Sequence, residues 1–296
     1  MRLISYRRAD GGEGLGVVSD SRWIPASDLL PDGPASMAAL LGSGPATVGT
    51  LAAAAHPDRI AADGRPLDEL EWLAPVPRPG KVIAIGRNYR EHTQEEGAEP
   101  PAAPLIFAKW PTSVIGPGAE IRWDPALTSK VDYEAELGVV IGRRARHVEP
   151  ADALDHVLGY TCLNDVSARD LQFGDGQWTR GKSLDTFCPM GPWLVTADEI
   201  PDPQALDIAC RLGDRVMQQA NTADMFFGVA AIISHCSQAF TLEPGDVIAT
   251  GTPGGVGIFR DPPVLLSDGD EVTIEIERIG RLTNTCRFEP ARVAVS

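Results

Sequence analysis

The chain has 296 residues and a mass of 31.6 kDa, enough for one large domain or a large domain with a small companion. Hydrophobic residues make up 43% and charged residues 23%, so a substantial core can be buried and a wholly disordered chain is excluded. Lys and Arg total 26 against 41 Asp and Glu, a net charge of −15; such a surface repels phosphate backbones, and no nucleic-acid partner is expected. The one basic cluster, Arg143-Arg144-Ala145-Arg146, is too short to reverse that and reads as a solvated turn. The opening MRLISYRRADGG has no apolar signal core, and no window approaches the ~18 uninterrupted apolar residues of a membrane span. The expected setting is the cytoplasm, without a membrane partner. Cysteines at 162, 188, 210, 236 and 286 form no CxxC pair and are expected to be reduced, mostly buried thiols. The histidines lack HxH or HxxxH spacing, which argues against a zinc site held by imidazoles.

In chain order, residues 1–72 mix short strands with Ala/Gly-rich stretches and are expected to form a small N-terminal α/β domain. LAPVPRPG (73–80) carries three prolines and a glycine and reads as an extended linker. From 81 to 296 the pattern is dominated by strands. KVIAIG (81–86) is a buried strand, and residues 87–97 form a short helix ended by Gly97. EAELGVVIG (134–142) is a strand entering a core, ADALDHVLGY (151–160) is a helix, and PWLVT (192–196) is a strand. MFFGVAAIISHCSQAF (225–240) is a helix too apolar for the surface, DVIATG (246–251) is a strand, and EVTIEIERIG (271–280) alternates strictly with period two. The fold class is α+β, mostly β, with a barrel- or sandwich-like large domain.

The chemistry concentrates in Val131-Asp132-Tyr133-Glu134-Ala135-Glu136-Leu137. On one continuous strand the three acids share a face, neighbours ~7 Å apart. Such a row is costly in a core unless it is solvated at an edge or neutralised by a cation. Asp165, where the strand-like LGYTCL turns towards a helix, can be aimed at the same place. Glu134, Glu136 and Asp165 together offer an all-oxygen set suited to Mg²⁺ or Mn²⁺, and less to Ca²⁺, with positions left open for water or substrate. ExE spacing alone does not decide between surface acids and a metal.

Several segments agree with one family. IGRNYREHTQEEG (85–97), PLIFAKWPTSVIGPG (104–118), VDYEAELGVVIGRRAR (131–146), GYTCLNDVSARDLQ (159–172), GQWTRGKSLDTFCPMGPW (176–193), LEPGDVIATGTPGGVG (242–257) and DGDEVTIEIERIGRLTN (268–284) follow one another in family order. The chain resembles the fumarylacetoacetate hydrolase superfamily, in its short form with a small N-terminal domain. The resemblance implies a mixed β-sandwich roll, a homodimer, and Mg²⁺ or Mn²⁺ held by Glu134, Glu136 and Asp165. Its members act on 2-oxo or 2,4-dioxo acids, which they cleave, decarboxylate, hydrate or tautomerise. A 2-oxo acid presents carboxylate and keto oxygens to such an ion, and the ion stabilises the enolate left by bond cleavage. Asp132 is left outside the ligand set, as a residue closing the strand entry.

His92 and Glu95, i and i+3 on the short helix, are neighbours there. The pair is either a surface ion pair or a general base whose imidazole is oriented and made more basic by carboxylate. The resemblance favours the base and places it on a lid over the substrate. It also makes Lys182 an active-site cation and adds Lys109 and Arg87 as substrate-binding groups. Thr250-Gly-Thr252-Pro-Gly-Gly-Val-Gly257 lacks the trailing Lys-Ser/Thr of a phosphate loop; Thr252 and nearby amides are expected to receive a substrate carboxylate, with Gln172 beside them. Arg169 reads as a structural partner of Asp170 or another neighbour. Two departures from the family pattern are Thr93, where alanine is common, and Arg211-Leu-Gly-Asp, where Val-Asn-Gly is common. The expected activity is hydrolysis of a C–C bond in a 2,4-dioxo, acylpyruvate-like acid. Decarboxylation of an oxaloacetate-type acid and isomerisation of a hydroxymuconate- or heptadienedioate-type acid are the alternatives.

Overall fold

A computed structural model describes residues 1–289, so the last seven residues of the expected large domain lie outside the described residues. The chain opens with a meander of β1 (Arg2–Arg7), β2 (Glu13–Ser19) and β3 (Arg22–Pro25). Four short helices follow, α1 (Ala26–Leu29), α2 (Met37–Ser43), α3 (Pro45–Ala54) and α4 (Pro57–Asp63), and then β4 (Arg65–Pro66). The helix starts obey local chemistry: Ser36 caps α2 by accepting from the Ala39 amide, and prolines open α3 and α4. Then come β5 (Val82–Gly86), α5 (Arg90–Glu95), β6 (Leu105–Lys109), β7 (Val114–Ile115), β8 (Glu120–Trp123), β9 (Val131–Asp132), β10 (Ala135–Ile141) and β11 (Val157–Asn164). The remainder is β12 (Ser167–Ala168), α6 (Arg169–Asp175), α7 (Thr179–Lys182), β13 (Cys188–Thr196), β14 (Asp207–Leu212), β15 (Arg215–Asn221), α8 (Val229–Ala239), β16 (Val247–Ala249), β17 (Glu271–Ile276) and β18 (Gly280–Phe288).

The large mixed sheet runs β4-β3-β2-β1-β13-β11-β10-β16-β5-β6, with β7 beside β13. A second sheet runs β15-β14-β17-β18-β8 and packs over its centre. Burial patterns follow this layering. β10 is buried at every residue, Glu136 included, and reads as an apolar run from Leu137 on; β17 buries Val272, Ile274 and Ile276 and turns Glu271, Thr273 and Glu275 outwards. The main core joins Leu137 and Val139 of β10 to Ile208, Ile274 and Leu282 of the second sheet. All five cysteines are free and buried, in line with the expectation of reduced thiols.

The N-terminal segment shares its sheet and core with the rest. β1 pairs antiparallel with β13 (Arg2 with Val195, Leu3 with Leu194), and Leu3, Leu15 and Ile24 pack in one cluster with Val82, Val140 and Leu163. The proline-rich stretch expected as a linker buries Ala74 and Val76, and the Ser5 hydroxyl donates to the Pro75 carbonyl at 2.8 Å. The helix expected over 151–160 is instead a 3₁₀ turn, Pro150–His156, that gives way to β11 at Val157. Pairing of β11 with both β10 and β13 outweighs the local helical pattern. α8 begins at Val229, after Gly228, later than the apolar run suggests. Because the core is shared, Leu3→Ala is expected to cost about 2–5 kcal/mol. In urea unfolding the loss should appear as one transition, shifted alike for tryptophan fluorescence and for far-UV circular dichroism; two separated transitions, with the first alone shifted, would mean an independent N-terminal unit.

Candidate metal centre and active site

The acidic stretch is not one strand. β9 ends at Asp132 and β10 begins at Ala135, leaving Tyr133 and Glu134 between them. The break turns Asp132 away from the other acids: its carboxylate accepts from the amides of Tyr133, Gly257 and Ile258 and from Arg169 Nε at 2.9 Å. Two backbone-level contacts then bring the next strand's end alongside. The Asp165 amide donates to the Glu134 carbonyl at 2.9 Å, and the Glu134 amide donates to the Asn164 side chain at 3.0 Å. Glu136 is fixed by the Gly251 amide, which donates to its Oε2 at 2.8 Å. As a result Glu134, Glu136 and Asp165, all buried, offer oxygens that lie within 4.8 Å of one another.

Three cations balance this cluster. Lys182 Nζ stands 2.7 Å from Glu134 Oε2 and 2.9 Å from Asp165 Oδ2. Lys109 Nζ donates to Asp165 Oδ1 at 2.6 Å and to the Lys182 carbonyl; its side chain is fully buried behind Asp165. Lys109 is thus held in the wall as a support for a carboxylate, not in the position expected of a substrate-binding cation. Arg169 bridges Asp132 and Glu134, the latter at 2.7 Å from Nη1, whereas Asp170 is taken by the Thr128 hydroxyl and the Ser129 amide. The Asp170 pairing considered from sequence is therefore replaced by two deeper acids.

Electrostatics separates the two glutamates. Burial alone would raise Glu134, but Lys182, Arg169 and His92 hold its carboxyl down at about 2. Glu136 goes the other way: burial, then the charges of Asp165 and Glu134, push it well above the usual carboxylate range. Lys182 is held above its ordinary value by Asp165 and Glu134 against the opposing effect of burial. A divalent cation fits this set because it relieves the one carboxylate that the lysines and arginine leave uncompensated. Three oxygen donors suit a hard ion and leave room for substrate.

The dyad stands over the cluster. His92 Nδ1 meets Glu95 Oε1 at 2.8 Å, and the Gly255 amide donates to Glu95 Oε2 at 2.7 Å. The turn before α5 is pinned by Asn88, whose side chain donates to the carbonyls of Phe227 and Thr250 and accepts from the Phe227 amide. The expected lid is thus docked against the glycine-rich loop. A narrow cleft is lined by His92, Glu134, Glu136 and Lys182, and Arg87, Gln172, Thr252 and Trp178 also line it. The Thr252 hydroxyl accepts from Gln218 Nε2 at 2.8 Å, and Gln172 Oε1 accepts from Arg169 Nη1 at 3.0 Å. Arg87 forms a two-point pair with Glu96. Arg169 Nη2 is buried with no partner among the described residues and lines this cleft, a donor left for an anion.

The structure brings together the residues singled out from sequence, Glu134, Glu136 and Asp165 with His92, Glu95 and Lys182, and adds three that sequence reasoning missed, Gln218, Asn88 and Asn164. Those three hold backbone atoms, a role that leaves no spacing signal in a sequence. Burial and the neighbouring acids raise Glu136, so proton and cation compete for its carboxylate, and apparent Mn²⁺ affinity is expected to rise with pH. Calorimetric titration in buffers of different ionisation enthalpy should show net proton release on binding; a pH-independent affinity would contradict the assignment. Lys109→Met, which leaves Asp165 buried and short of a partner, is expected to cost about 3–5 kcal/mol in chemical denaturation.

Residues 81–287 match the family model described as "Fumarylacetoacetate (FAA) hydrolase C-terminal". The mitochondrial oxaloacetate tautomerase FAHD2A of Bos taurus is 43% identical over 289 residues, covering 96% of this chain and 91% of that protein. Among solved structures, the fumarylacetoacetate hydrolase of Exiguobacterium antarcticum aligns with a TM-score of 0.83 at 36% identity, covering 98% of this chain and 100% of that one. A 2-hydroxyhepta-2,4-diene-1,7-dioate isomerase from Mycobacterium marinum aligns at 0.74 and 37%, covering 98% and 99%. With the family's motifs folded around one carboxylate cluster and the family model spanning residues 81–287, the chain belongs to the fumarylacetoacetate hydrolase family of enzymes.

Proposed function

We propose that this enzyme interconverts the keto and enol forms of a short 2-oxo diacid of the oxaloacetate class, with Mg²⁺ or Mn²⁺ at Glu134, Glu136 and Asp165. The observation that carries the reading is the full-length similarity to an oxaloacetate tautomerase, 43% over 96% of the chain. The acylpyruvate hydrolysis expected from sequence has less support from the full-length relatives, which are tautomerases at 43% identity, while the solved neighbours at 36–37% are a hydrolase and an isomerase and favour neither. Tautomerisation and isomerisation both need a proton moved beside a carbonyl, with no attacking water.

The residues match that task. His92 Nδ1 is engaged by Glu95, which leaves Nε2 for the cleft that His92 lines. Nε2 takes the proton from C3 of the substrate, and Glu95 stabilises the imidazolium that results; the proton returns to the 2-oxygen, so the enzyme ends unchanged. The buried Lys182 ammonium faces the developing negative charge, and Arg169 Nη2, Gln172 and Thr252 receive the adjacent carboxylate. When bound, the divalent cation supplies Lewis-acid stabilisation of charge at the 2-oxo oxygen. Phe107, Phe173 and Phe259 around the cleft limit access of water to the dyad.

His92→Asn is expected to lower kcat for enol-to-keto conversion of oxaloacetate by about 10²–10⁴-fold while leaving the fold intact. Loss of enol absorbance measures this directly. Acetylpyruvate cleavage assayed beside it should have a far lower kcat/KM; a higher value for cleavage would restore the hydrolase reading.

A further inference from the structure

The mouth of the cleft holds a charge arrangement that the chemistry above does not use. Arg87 and Glu96 flank α5, the helix that carries the dyad, and pair across it through Nε to Oε2 and Nη2 to Oε1, both at 2.8 Å. Both residues line the cleft, and they differ in exposure: the Arg87 side chain is 34% exposed and that of Glu96 15%. The Arg87 guanidinium also lies over the Trp178 indole, 5.6 Å from its centroid, so it spans from the dyad's helix to the opposite wall beside α7. Its backbone sits at φ +56°, a left-handed conformation that arginine rarely adopts, held by Asn88 next door and by the Thr93 hydroxyl, which donates to the Arg87 carbonyl.

The floor cations all serve the 2-oxo end. Lys109 is committed to Asp165, Lys182 stands between Glu134 and Asp165 beside the reacting group, and Arg169 retains one free donor, enough for the carboxylate next to the 2-oxo group. A substrate with a second carboxylate needs another cation, and among the cleft-lining residues Arg87 is the one at the mouth. Its bidentate face is occupied by Glu96. We propose that Glu96 is an internal competitor for Arg87: the distal carboxylate of a dicarboxylate substrate displaces it, while a monocarboxylate leaves the Arg87–Glu96 pair closed.

The proposal rests on the oxaloacetate-class reading for its substrate and deepens it, since it makes charge at the far end of the ligand the selected feature. Exchange of one carboxylate for another on the same guanidinium is nearly balanced, so the pair acts as a tax on binding: apparent affinity is reduced by the fraction of molecules with Arg87 free. Removing the competitor strengthens only those ligands that use the freed face, which is discrimination by a difference in affinities. Glu96 thereby acts through Arg87 and is a positioning residue, not a catalytic one.

The test compares two unreactive five-carbon ligands, 2-oxoglutarate and 2-oxovalerate, that differ only in a distal carboxylate against a methyl group. Each is titrated calorimetrically into Mn²⁺-loaded protein. Glu96→Gln is expected to tighten 2-oxoglutarate about fivefold and to leave 2-oxovalerate within twofold; with oxaloacetate it should lower KM with little change in kcat. Arg87→Met is expected to abolish the preference for the dicarboxylate. Equal tightening of both ligands by Glu96→Gln, no change in either, or a preference that survives Arg87→Met would each overturn the proposal. Thermal unfolding of both variants confirms that a folded protein is compared, and Glu96→Ala serves if the glutamine variant fails to fold. Binding is read without turnover, so a protein that shows this discrimination but no tautomerisation would sink the activity reading and leave the competitor standing.

Discussion

Four carboxylates, Asp132, Glu134, Glu136 and Asp165, lie buried in one small volume, a concentration of like charge that an apolar interior cannot hold unaided. Arg169, Lys182 and Lys109 answer them, and the balance is unequal. One carboxylate, Glu136, is left among like charges, with the Gly251 amide as its donor. The residual deficit of positive charge is what makes the cluster a site. A fully compensated set would be a structural salt-bridge network with no appetite for a cation.

The fold exists to hold that imbalance in place. Register between β10 and β11 sets Glu134 against Asp165, the break after β9 sends Asp132 to the loop at Gly257, and the loop after β16 supplies the amide for Glu136. Gly257 shows how tight the arrangement is: a Cβ there would come within 2.6 Å of Asp132 Oδ1 and 2.0 Å of a backbone oxygen. The same glycine-rich turn fixes Glu95 through Gly255, so one loop positions Glu136, Asp132 and Glu95 together. Coupling of these elements explains why a short helix with six residues can present a dyad precisely: it is pinned at Asn88 before its start and at Glu95 near its end.

Much of this was legible in the sequence, and the reasons are physical. The residues to which we assign the chemistry, Glu134, Glu136, Asp165 and the His92–Glu95 pair, stand at spacings set by strand and helix geometry, and the family motifs carry them. The alternation read over 271–280 likewise announced a strand with one buried face, though the strand ends at Ile276 and the chain turns into β18 at Gly280. What stayed hidden depends on the third dimension. Nothing near Lys109 says that it faces Asp165 from behind, since the partners are 56 residues apart. Arg169 stands beside Asp170 in sequence yet pairs with Asp132 and Glu134, because deeper burial gives those acids the greater need. The stretch 151–160 looked helical, but a 3₁₀ turn ends at His156 and the residues from Val157 on became a strand once two neighbours were available to pair with them. The proline-rich segment looked like a linker, but a proline run that buries Ala74 and Val76 is a strap over a shared core.

The central claim is that Glu134, Glu136 and Asp165 hold one divalent cation within reach of a 2-oxo acid under His92. A crystal structure of the protein grown with Mn²⁺ and oxalate, phased to reveal anomalous scatterers, tests it most directly. The account predicts a single strong manganese peak in contact with an oxygen of each of the three carboxylates and with oxalate. A peak elsewhere, or oxalate bound in the cleft with no metal between it and the carboxylates, would contradict it.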